Sequence, residues 1–191
     1  MRIIAGIARR TSLIAPKGLD TRPTSDMAKE GLFNILSEEI RGARFLDLFC
    51  GSGAIGLEAI SRGAKEAVFV DNATPAISAL SQNLEKTKLA SSAEVLRMPV
   101  AKAIDCLAAS GRQFDIIFLD PPYGTNLLQE TLDKLADANI LAKCGIIIAE
   151  TDSKLHTTPL QMEVTDTRIY GRNCFMFIRK VTSDANIPGQ F

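Results

Sequence analysis

The chain has 191 residues, of which 46% are hydrophobic and 23% charged, and its formal net charge at pH 7 is zero. This length suits one domain with short terminal additions, and no apolar run approaches the roughly 20 residues of a membrane span. A balanced charge argues against a protein that coats nucleic acid through bulk electrostatics. Because the first residues lack the apolar core of a signal peptide, we expect a cytoplasmic protein.

The cysteines are far apart, none forms a Cys-x-x-Cys pair, and the single histidine is His156. We therefore expect neither a metal site nor a disulfide framework. Cys50 precedes a glycine-rich stretch, where a small buried side chain is favoured over a reactive thiol. His156 is interpreted as a surface residue.

Positive charge is concentrated near the start of the chain. Residues 1–29 contain six cationic side chains and two acidic ones, which leaves a local charge of +4. We interpret residues 1–24 as a basic arm or hairpin, with a plain solvated surface stretch as the alternative.

Apolar periodicity predicts alternating helices and strands. The first helix is predicted from Asp26 to Ile40, with Thr24 or Ser25 as its cap. Four more helices are predicted: one at 54–62, one that begins at Thr74, one at 99–109, and one that contains Leu128, Leu132 and Leu135. The predicted strands cover 44–48, 66–71, 94–97, 114–120, 145–150, 161–170 and 173–179.

This alternation of strands and helices indicates an α/β fold with a doubly wound, mostly parallel, Rossmann-like sheet. The last two strands have no helix between them and are predicted to form an antiparallel hairpin. Parallel strands present their carboxyl ends at one edge, where ligands bind. We therefore expect residues 47–53, Asp71 and residues 120–123 to lie side by side there.

Gly51, Gly53 and Gly56 form a Gly-x-Gly-x-x-Gly turn between a strand and a helix. Together with Asp71, this spacing fits a dinucleotide site, and a carboxylate at that place also suits the ribose of any nucleoside. Asp47, just before the loop, favours a cofactor that brings an ammonium and no phosphate, as S-adenosylmethionine does. Glycines that serve only strand–helix packing are a further alternative.

The sequence Asp120-Pro121-Pro122-Tyr123 follows an apolar strand. The prolines lack N–H donors, so a carboxylate and backbone carbonyls can converge on an incoming donor. Two acceptors and an aromatic ring are suited to hold the exocyclic amine of a planar base. A plain turn with a capping acid is the alternative.

These motifs resemble those of the S-adenosylmethionine-dependent amino methyltransferases: FLDLFCGSGAIGLEAISRGA, followed by DPPY. The stretches RIIAG, TRPTSD and LFNIL make the chain similar to the bacterial 16S ribosomal RNA guanine-N2 methyltransferase family, from Arg2 to about Glu150. The resemblance implies a seven-stranded sheet, methyl transfer to N2 of a guanine in small-subunit RNA, and a basic N-terminal extension on the RNA side. The methyltransferase domain would cover residues 25–181, followed by a tail at 182–191.

The resemblance also implies roles for individual residues. The catalytic set is Asp120, Pro121, Pro122 and Tyr123. The cofactor set is Asp47, Phe49, Gly51, Ser52, Gly53, Gly56, Asp71, Asn72, Met98, Pro99 and Asp120. The RNA set is Arg2, Arg9, Arg10, Arg22 and Thr24. The expected partner is ribosomal RNA in a small-subunit assembly particle, bound by a monomer without metal or membrane.

The chain departs from the methyltransferase pattern after the third strand. Where an acid or amide commonly meets the adenine amine, this chain has Arg97-Met98-Pro99-Val100. Backbone groups and Met98 are the expected substitutes.

Three alternatives remain open from the sequence. An N6-adenine methyltransferase could use the same Asp-Pro-Pro-Tyr geometry. An NAD-dependent oxidoreductase is supported by the glycine spacing and Asp71, and an RNA-binding assembly factor could keep the fold without catalysis. Glu150, at a strand end near the same edge, is a further candidate for the site or a simple loop cap.

Overall fold

The structure is a computed structural model, and it describes residues 1–16, 24–122, 124–151 and 158–181. Three residues singled out from the sequence, Arg22, Tyr123 and His156, lie outside the described residues. So do the predicted tail at 182–191 and residues 17–23 of the predicted arm.

Helices and strands alternate along most of the described chain. The helices are α1 (Asp26–Ile35), α2 (Ala54–Ser61), α3 (Thr74–Thr87), α4 (Val100–Ala109) and α5 (Leu127–Asp137). The strands are β1 (Arg44–Leu48), β2 (Glu66–Asp71), β3 (Ala93–Arg97), β4 (Phe114–Leu119), β5 (Leu141–Thr151), β6 (Met162–Tyr170) and β7 (Asn173–Lys180).

All these strands join one sheet in the order β3-β2-β1-β4-β5-β7-β6. Strands β1 to β5 are mutually parallel, while β7 pairs antiparallel with β5 and β6 antiparallel with β7. The predicted doubly wound α/β sheet with an antiparallel C-terminal hairpin is confirmed. Since β2, β1, β4 and β5 are consecutive neighbours, the strand ends that hold Asp71, Asp47, Asp120 and Glu150 lie along one edge.

The sheet is buried on both faces, which explains why its parallel strands are almost continuously apolar. One face packs against α1, α2 and α3, with Phe45 and Phe69 among its fully buried side chains. The other face packs against α4 and α5 and includes Leu46 and Ile117. Successive strand residues alternate between these two cores.

Two element boundaries differ from the sequence prediction. Helix α1 ends at Ile35 rather than Ile40, because the chain turns back towards β1 and the N–H of Gly42, at a φ of 74°, donates to the Gly63 carbonyl at 2.8 Å. Strand β5 begins at Leu141 rather than Gly145, since a register irregularity lets Leu141 pair with Phe114.

Gly31 lies inside α1, where glycine lowers helix stability relative to alanine by about 1 kcal/mol. A Cβ at this position would come within 2.3 Å of the Tyr170 ring. Close packing of α1 against β6 therefore requires the glycine.

Residues 1–16 pack on α2 and α3. Ile3 is fully buried in the core that contains those helices, and one isolated bridge joins Arg2 to Ser12. Gly6 approaches so closely that a Cβ would lie 1.7 Å from the Ser61 carbonyl oxygen. The N-terminal segment is thus continuous with the main core.

Within the described residues, no helix is long and apolar enough to cross a membrane.

Candidate active site

The turn between β1 and α2 has an unusual backbone. Phe49, Gly51 and Gly53 have φ values of 64°, 53° and 78°. A Cβ on Gly51 would meet nothing within 4 Å, whereas one on Gly56 would lie 2.3 Å from the Phe69 ring. Gly56 therefore serves packing, and Gly51 leaves open space beside the loop. The left-handed Phe49 is a strained position of the kind found at functional sites.

Asp47 ends β1 beneath this loop. Its side chain is buried, and its Oδ2 accepts a 2.9 Å hydrogen bond from the Gly56 N–H. Burial raises the pKa of Asp47 from its ordinary 3.8 to about 7; the Gly56 bond opposes this and the charge of Asp71 adds to it. Within the described residues, no cationic side chain pairs with it.

Asp71, at the end of β2, fixes the same loop from the side. Its carboxylate oxygens accept hydrogen bonds from the Gly51 N–H at 3.0 Å and the Ala73 N–H at 2.8 Å. The side chain is half-buried, so it borders open space while holding the backbone of the loop.

A cavity of about 260 Å³ opens beside Asp71. Five of the residues predicted for the site line it: Phe49, Asp71, Asn72, Pro99 and Pro122. The other lining residues come from α4 and α5 and were not predicted: Val100, Ala101, Ile104, Leu127, Glu130, Thr131 and Lys134. The apolar pattern placed Val100 and Ile104 on the inward face of α4, but it did not identify either helix as part of a cavity wall.

The segment after β3 provides backbone groups to the cavity and no acidic side chain. Pro99 caps α4, and Met98 packs against the core on that face of the sheet. Arg97 turns away and donates to the Thr74 hydroxyl at 2.7 Å. The first N–H groups of α4 therefore border the cavity.

Cys50 is buried beside the loop. Burial, reinforced by the charges of Asp47 and Asp71, raises the pKa of the Cys50 thiol well above its ordinary value. The side chain behaves as a small buried group, as the sequence indicated.

Asp120 follows β4 and is half-buried. Among the described residues, no donor or cation pairs with its carboxylate, in contrast to Asp47, Asp71 and Glu150. The Pro122 carbonyl already accepts a 2.8 Å hydrogen bond from the Thr125 hydroxyl. The unpaired Asp120 carboxylate is thus the acceptor that this edge presents to a ligand.

Glu150 lies next to Asp120, because Leu119 of β4 pairs with Ala149 of β5 one position earlier. Glu150 is buried and accepts hydrogen bonds from the Thr24 hydroxyl at 2.8 Å and from the Asn173 side-chain amide. Burial raises the pKa of Asp120 well above its ordinary value, helped by the charges of Glu150 and Asp47. Burial also raises the pKa of Glu150, against its two hydrogen bonds.

The described residues predicted to contact RNA differ in exposure. Arg9 and Arg10 are exposed in a turn with Ile7, which is 84% exposed. Arg2 is exposed and paired with Asp26 at 3.0 Å. Thr24 is buried, so its hydroxyl faces Glu150 rather than solvent.

The N-terminal segment reaches the glycine loop. Met1 Sδ accepts from the Ser52 hydroxyl at 3.7 Å. The Asn83 side-chain amide on α3 donates both to the Ser52 carbonyl at 3.0 Å and to the Ile14 carbonyl at 2.9 Å. Met1 thus contacts the loop directly, and Asn83 of α3 links the loop to Ile14 of the N-terminal segment.

A buried ion pair fastens the segment to α2. Glu58 accepts from the N–H groups of Ile4 and Ala5 at 2.7 and 3.0 Å and from Arg62 at 2.7 Å. Lys29 lies 3.5 Å from Glu58 with both side chains fully buried. This cluster was not predicted from the sequence, although an acid within the apolar run 54–61 was a signal for it.

The described residues contain no group of three or more potential metal ligands.

Comparisons with known proteins agree on a family. The sequence model of the family described as "Conserved hypothetical protein 95" matches residues 1–179, so the similarity continues beyond Glu150 into the C-terminal hairpin. The chain is 35% identical over 182 residues to the Ribosomal RNA small subunit methyltransferase D of Escherichia coli, covering 94% of this chain and 90% of the relative. It is 38% identical over 168 residues to YlbH of Bacillus subtilis, a candidate rRNA methyltransferase, covering 88% and 91%.

A solved structure of a similar protein agrees with this family. The fold superposes on yhhF of Escherichia coli, a candidate methyltransferase, with a TM-score of 0.81 at 36% identity, covering 94% of this chain and 97% of that one.

Proposed function

The chain belongs to the family described as Conserved hypothetical protein 95, and on that basis we propose that it transfers a methyl group from S-adenosylmethionine to the exocyclic N2 amine of a guanine in small-subunit ribosomal RNA. The relatives named as small-subunit rRNA methyltransferases support the reaction class and the RNA. The guanine N2 target rests on the resemblance of the motifs and on the chemistry of Asp120.

The observation on which the proposal depends is the Asp120 carboxylate. It has no partner among the described residues, is half-buried, and lies at the sheet edge one strand from the glycine loop. An exocyclic amine has two N–H donors, and an acceptor on one of them orients the nitrogen lone pair towards an electrophile. The Pro121 carbonyl and the Tyr123 ring would complete the arrangement.

The residues at the glycine loop fit S-adenosylmethionine. Gly51 leaves open space at the loop, Asp47 supplies a negative charge beneath it, and Asp71 is placed for ribose hydroxyls. The adenine would occupy the cavity between Phe49 and the first turn of α4, where backbone N–H groups and Met98 replace the usual side-chain acid or amide. When bound, this cofactor supplies an electrophilic methyl group.

A dinucleotide fits this edge less well. The carboxylates of Asp47, Asp71 and Asp120 at the strand ends would repel a pyrophosphate, and the cationic side chain that lines the cavity, Lys134, is paired with Asp105 at 2.6 Å. A sulfonium with an ammonium group is attracted by the same charges. The acidic edge thus favours methyl transfer over the hydride transfer that the glycine spacing alone allowed.

The RNA would approach over the N-terminal segment. Arg9 and Arg10 are exposed, unpaired within the described residues, and lie in a turn of a segment whose first residue touches the glycine loop. Cationic side chains of this kind bind phosphates and position a substrate without reading its sequence. The target guanine would leave its stack to reach Asp120.

Two measurements on the same protein test this function. Calorimetry should detect S-adenosylmethionine binding and no NADH binding. Labelled S-adenosylmethionine should then transfer its methyl group to small-subunit rRNA from cells that lack the corresponding methyltransferase. Binding of rRNA without any methyl transfer would contradict the proposal and favour a non-enzymatic assembly factor.

A further inference from the structure

Two acidic side chains meet at the target side of the edge, and the proposed reaction uses only one of them. Asp120 follows the last residue of β4 and Glu150 lies near the end of β5, at equivalent positions of neighbouring parallel strands, since Leu119 pairs with Ala149. Asp120 is unpaired among the described residues, whereas Glu150 is 2% exposed and has a donor on each oxygen. The two carboxylates therefore have different roles.

We infer that Glu150 is a positioning residue for Asp120: held by Thr24 and Asn173, its fixed negative charge makes Asp120 the acceptor of the proton that the target amine releases. This inference rests on the proposed methyl transfer. It gives the buried Thr24 hydroxyl a role in the site rather than a direct contact with RNA.

The chemistry requires such an acceptor. As the amine nitrogen forms its bond to the methyl carbon, the sulfur–carbon bond breaks and both of its electrons remain on sulfur. The nitrogen then bears a positive charge, and it becomes neutral when one proton passes to the Asp120 carboxylate. An isolated carboxylate is a weak base, and a neighbouring negative charge makes it a stronger one.

The surroundings of the pair support this division of roles. Glu150 (β5) and Asp47 (β1) are the charged groups that act on Asp120, and both are acidic; Thr24 and Asn173, which face Glu150, are uncharged donors. The donors on Glu150 favour its charged form, whereas Asp120 has no donor among the described residues, so Asp120 is the carboxylate of the two that takes up a proton more readily. Burial and the charge of Glu150 raise the pKa of Asp120, in agreement with this placement.

The test compares wild type with Glu150→Gln and Glu150→Asp. We expect Glu150→Gln to move the acid limb of the kcat profile to lower pH by on the order of one unit, because Asp120 loses its charged neighbour. Glu150→Asp keeps the charge and should retain the wild-type limb. Glu163→Gln, on the exposed part of β6, is the matched control and should change nothing.

A second pair of variants tests the hydrogen bond that the Thr24 hydroxyl donates to Glu150. Thr24→Val removes the donor while preserving shape, so Glu150 is protonated more easily, its charge acts less on Asp120, and the acid limb moves in the same direction by less. Thr165→Val removes a hydroxyl that donates to the Phe177 carbonyl on β7 and should leave the profile unchanged. If Glu150→Gln fails to fold, Thr24→Val still decides the question.

A readout without RNA separates this inference from the function itself. Carbon-13 titration of the Asp120 carboxyl should show a lower pKa in Glu150→Gln than in wild type. Wild-type protein that transfers no methyl group would refute the proposed function. An unmoved Asp120 titration, or an equal loss of activity at every pH, would show that Glu150 serves packing alone and would overturn the inference.

Discussion

The Oδ2 atom of Asp47 accepts a 2.9 Å hydrogen bond from the N–H of Gly56, nine residues later, in a site from which water is excluded. One buried carboxylate thus joins the end of β1 to the first turn of α2. It does so without a cationic partner among the described residues, which has a consequence for stability.

Asp47→Asn should stabilise the protein at alkaline pH. The pKa of Asp47 is about 7 in the folded state against 3.8 ordinarily, so its stabilising contribution is present below pH 3.8 and is lost as pH rises through 7. Asparagine can still accept from Gly56 but never ionises. We expect a gain of on the order of 2 kcal/mol in the free energy of unfolding at pH 8, shrinking towards pH 5, by urea denaturation.

The same variant should bind S-adenosylmethionine more weakly, because it loses the charge that we propose attracts the ammonium group. Asp137→Asn, on the exposed end of α5, is the control for both measurements. Equal or lower stability of Asp47→Asn at pH 8 would contradict the assignment of Asp47 as a destabilising buried acid.

Asp120→Asn should separate catalysis from cofactor binding. The amide keeps one acceptor but cannot take a proton, so we expect kcat to fall by about 100-fold or more. The affinity for S-adenosylmethionine, measured by calorimetry, should stay near the wild-type value. Full turnover of Asp120→Asn would exclude Asp120 as the acceptor for the target amine.

Glu58→Gln should loosen the N-terminal segment. The change leaves Lys29 buried without its countercharge, which we expect to cost about 3 kcal/mol of stability. Trypsin should then cleave after Arg9 and Arg10 faster than in wild type, since the N–H groups of Ile4 and Ala5 lose a charged acceptor. Glu85→Gln on α3 is the control; if it and Glu58→Gln are cleaved at the same rate, Glu58 does not hold the segment.

Charge reversal at Arg9 and Arg10 should weaken RNA binding and reduce its salt dependence. S-adenosylmethionine affinity should be unchanged, because neither side chain lines the cavity. Lys102→Glu with Lys143→Glu provides the matched control, because both exposed lysines lie outside the N-terminal segment, on α4 and β5. If the Arg9 and Arg10 variant binds RNA with unaltered affinity, the turn is not part of the RNA-binding surface.

Much of the fold was predictable because its strands and helices follow simple apolar patterns. Strand β2 was predicted with its observed bounds, and most other elements within a few residues. The start of β5 was missed because Leu-Ala-Lys-Cys at 141–144 lacks a strand pattern. Its pairing depends on β4, which a local pattern does not reveal.

Candidate site residues that belong to a sequence motif could be predicted. Residues that only the three-dimensional fold brings together could not. The family resemblance is confirmed, and Phe49, Asp71 and Pro99 line one cavity, while their role in cofactor binding stays a prediction. Thr24 and Glu150 are 126 residues apart in sequence, so their hydrogen bond appears only in three dimensions. The same holds for Lys29 and Glu58, whose types suggested surface positions.

The most direct test of the central claim is the identity of the methylated nucleoside. Small-subunit particles from cells lacking the corresponding methyltransferase would be incubated with the protein and labelled S-adenosylmethionine, then digested for mass spectrometry. We predict N2-methylguanosine as the labelled product, formed about 100-fold or more slowly when Asp120→Asn is used. Label in N6-methyladenosine, or in no nucleoside at all, would contradict the account.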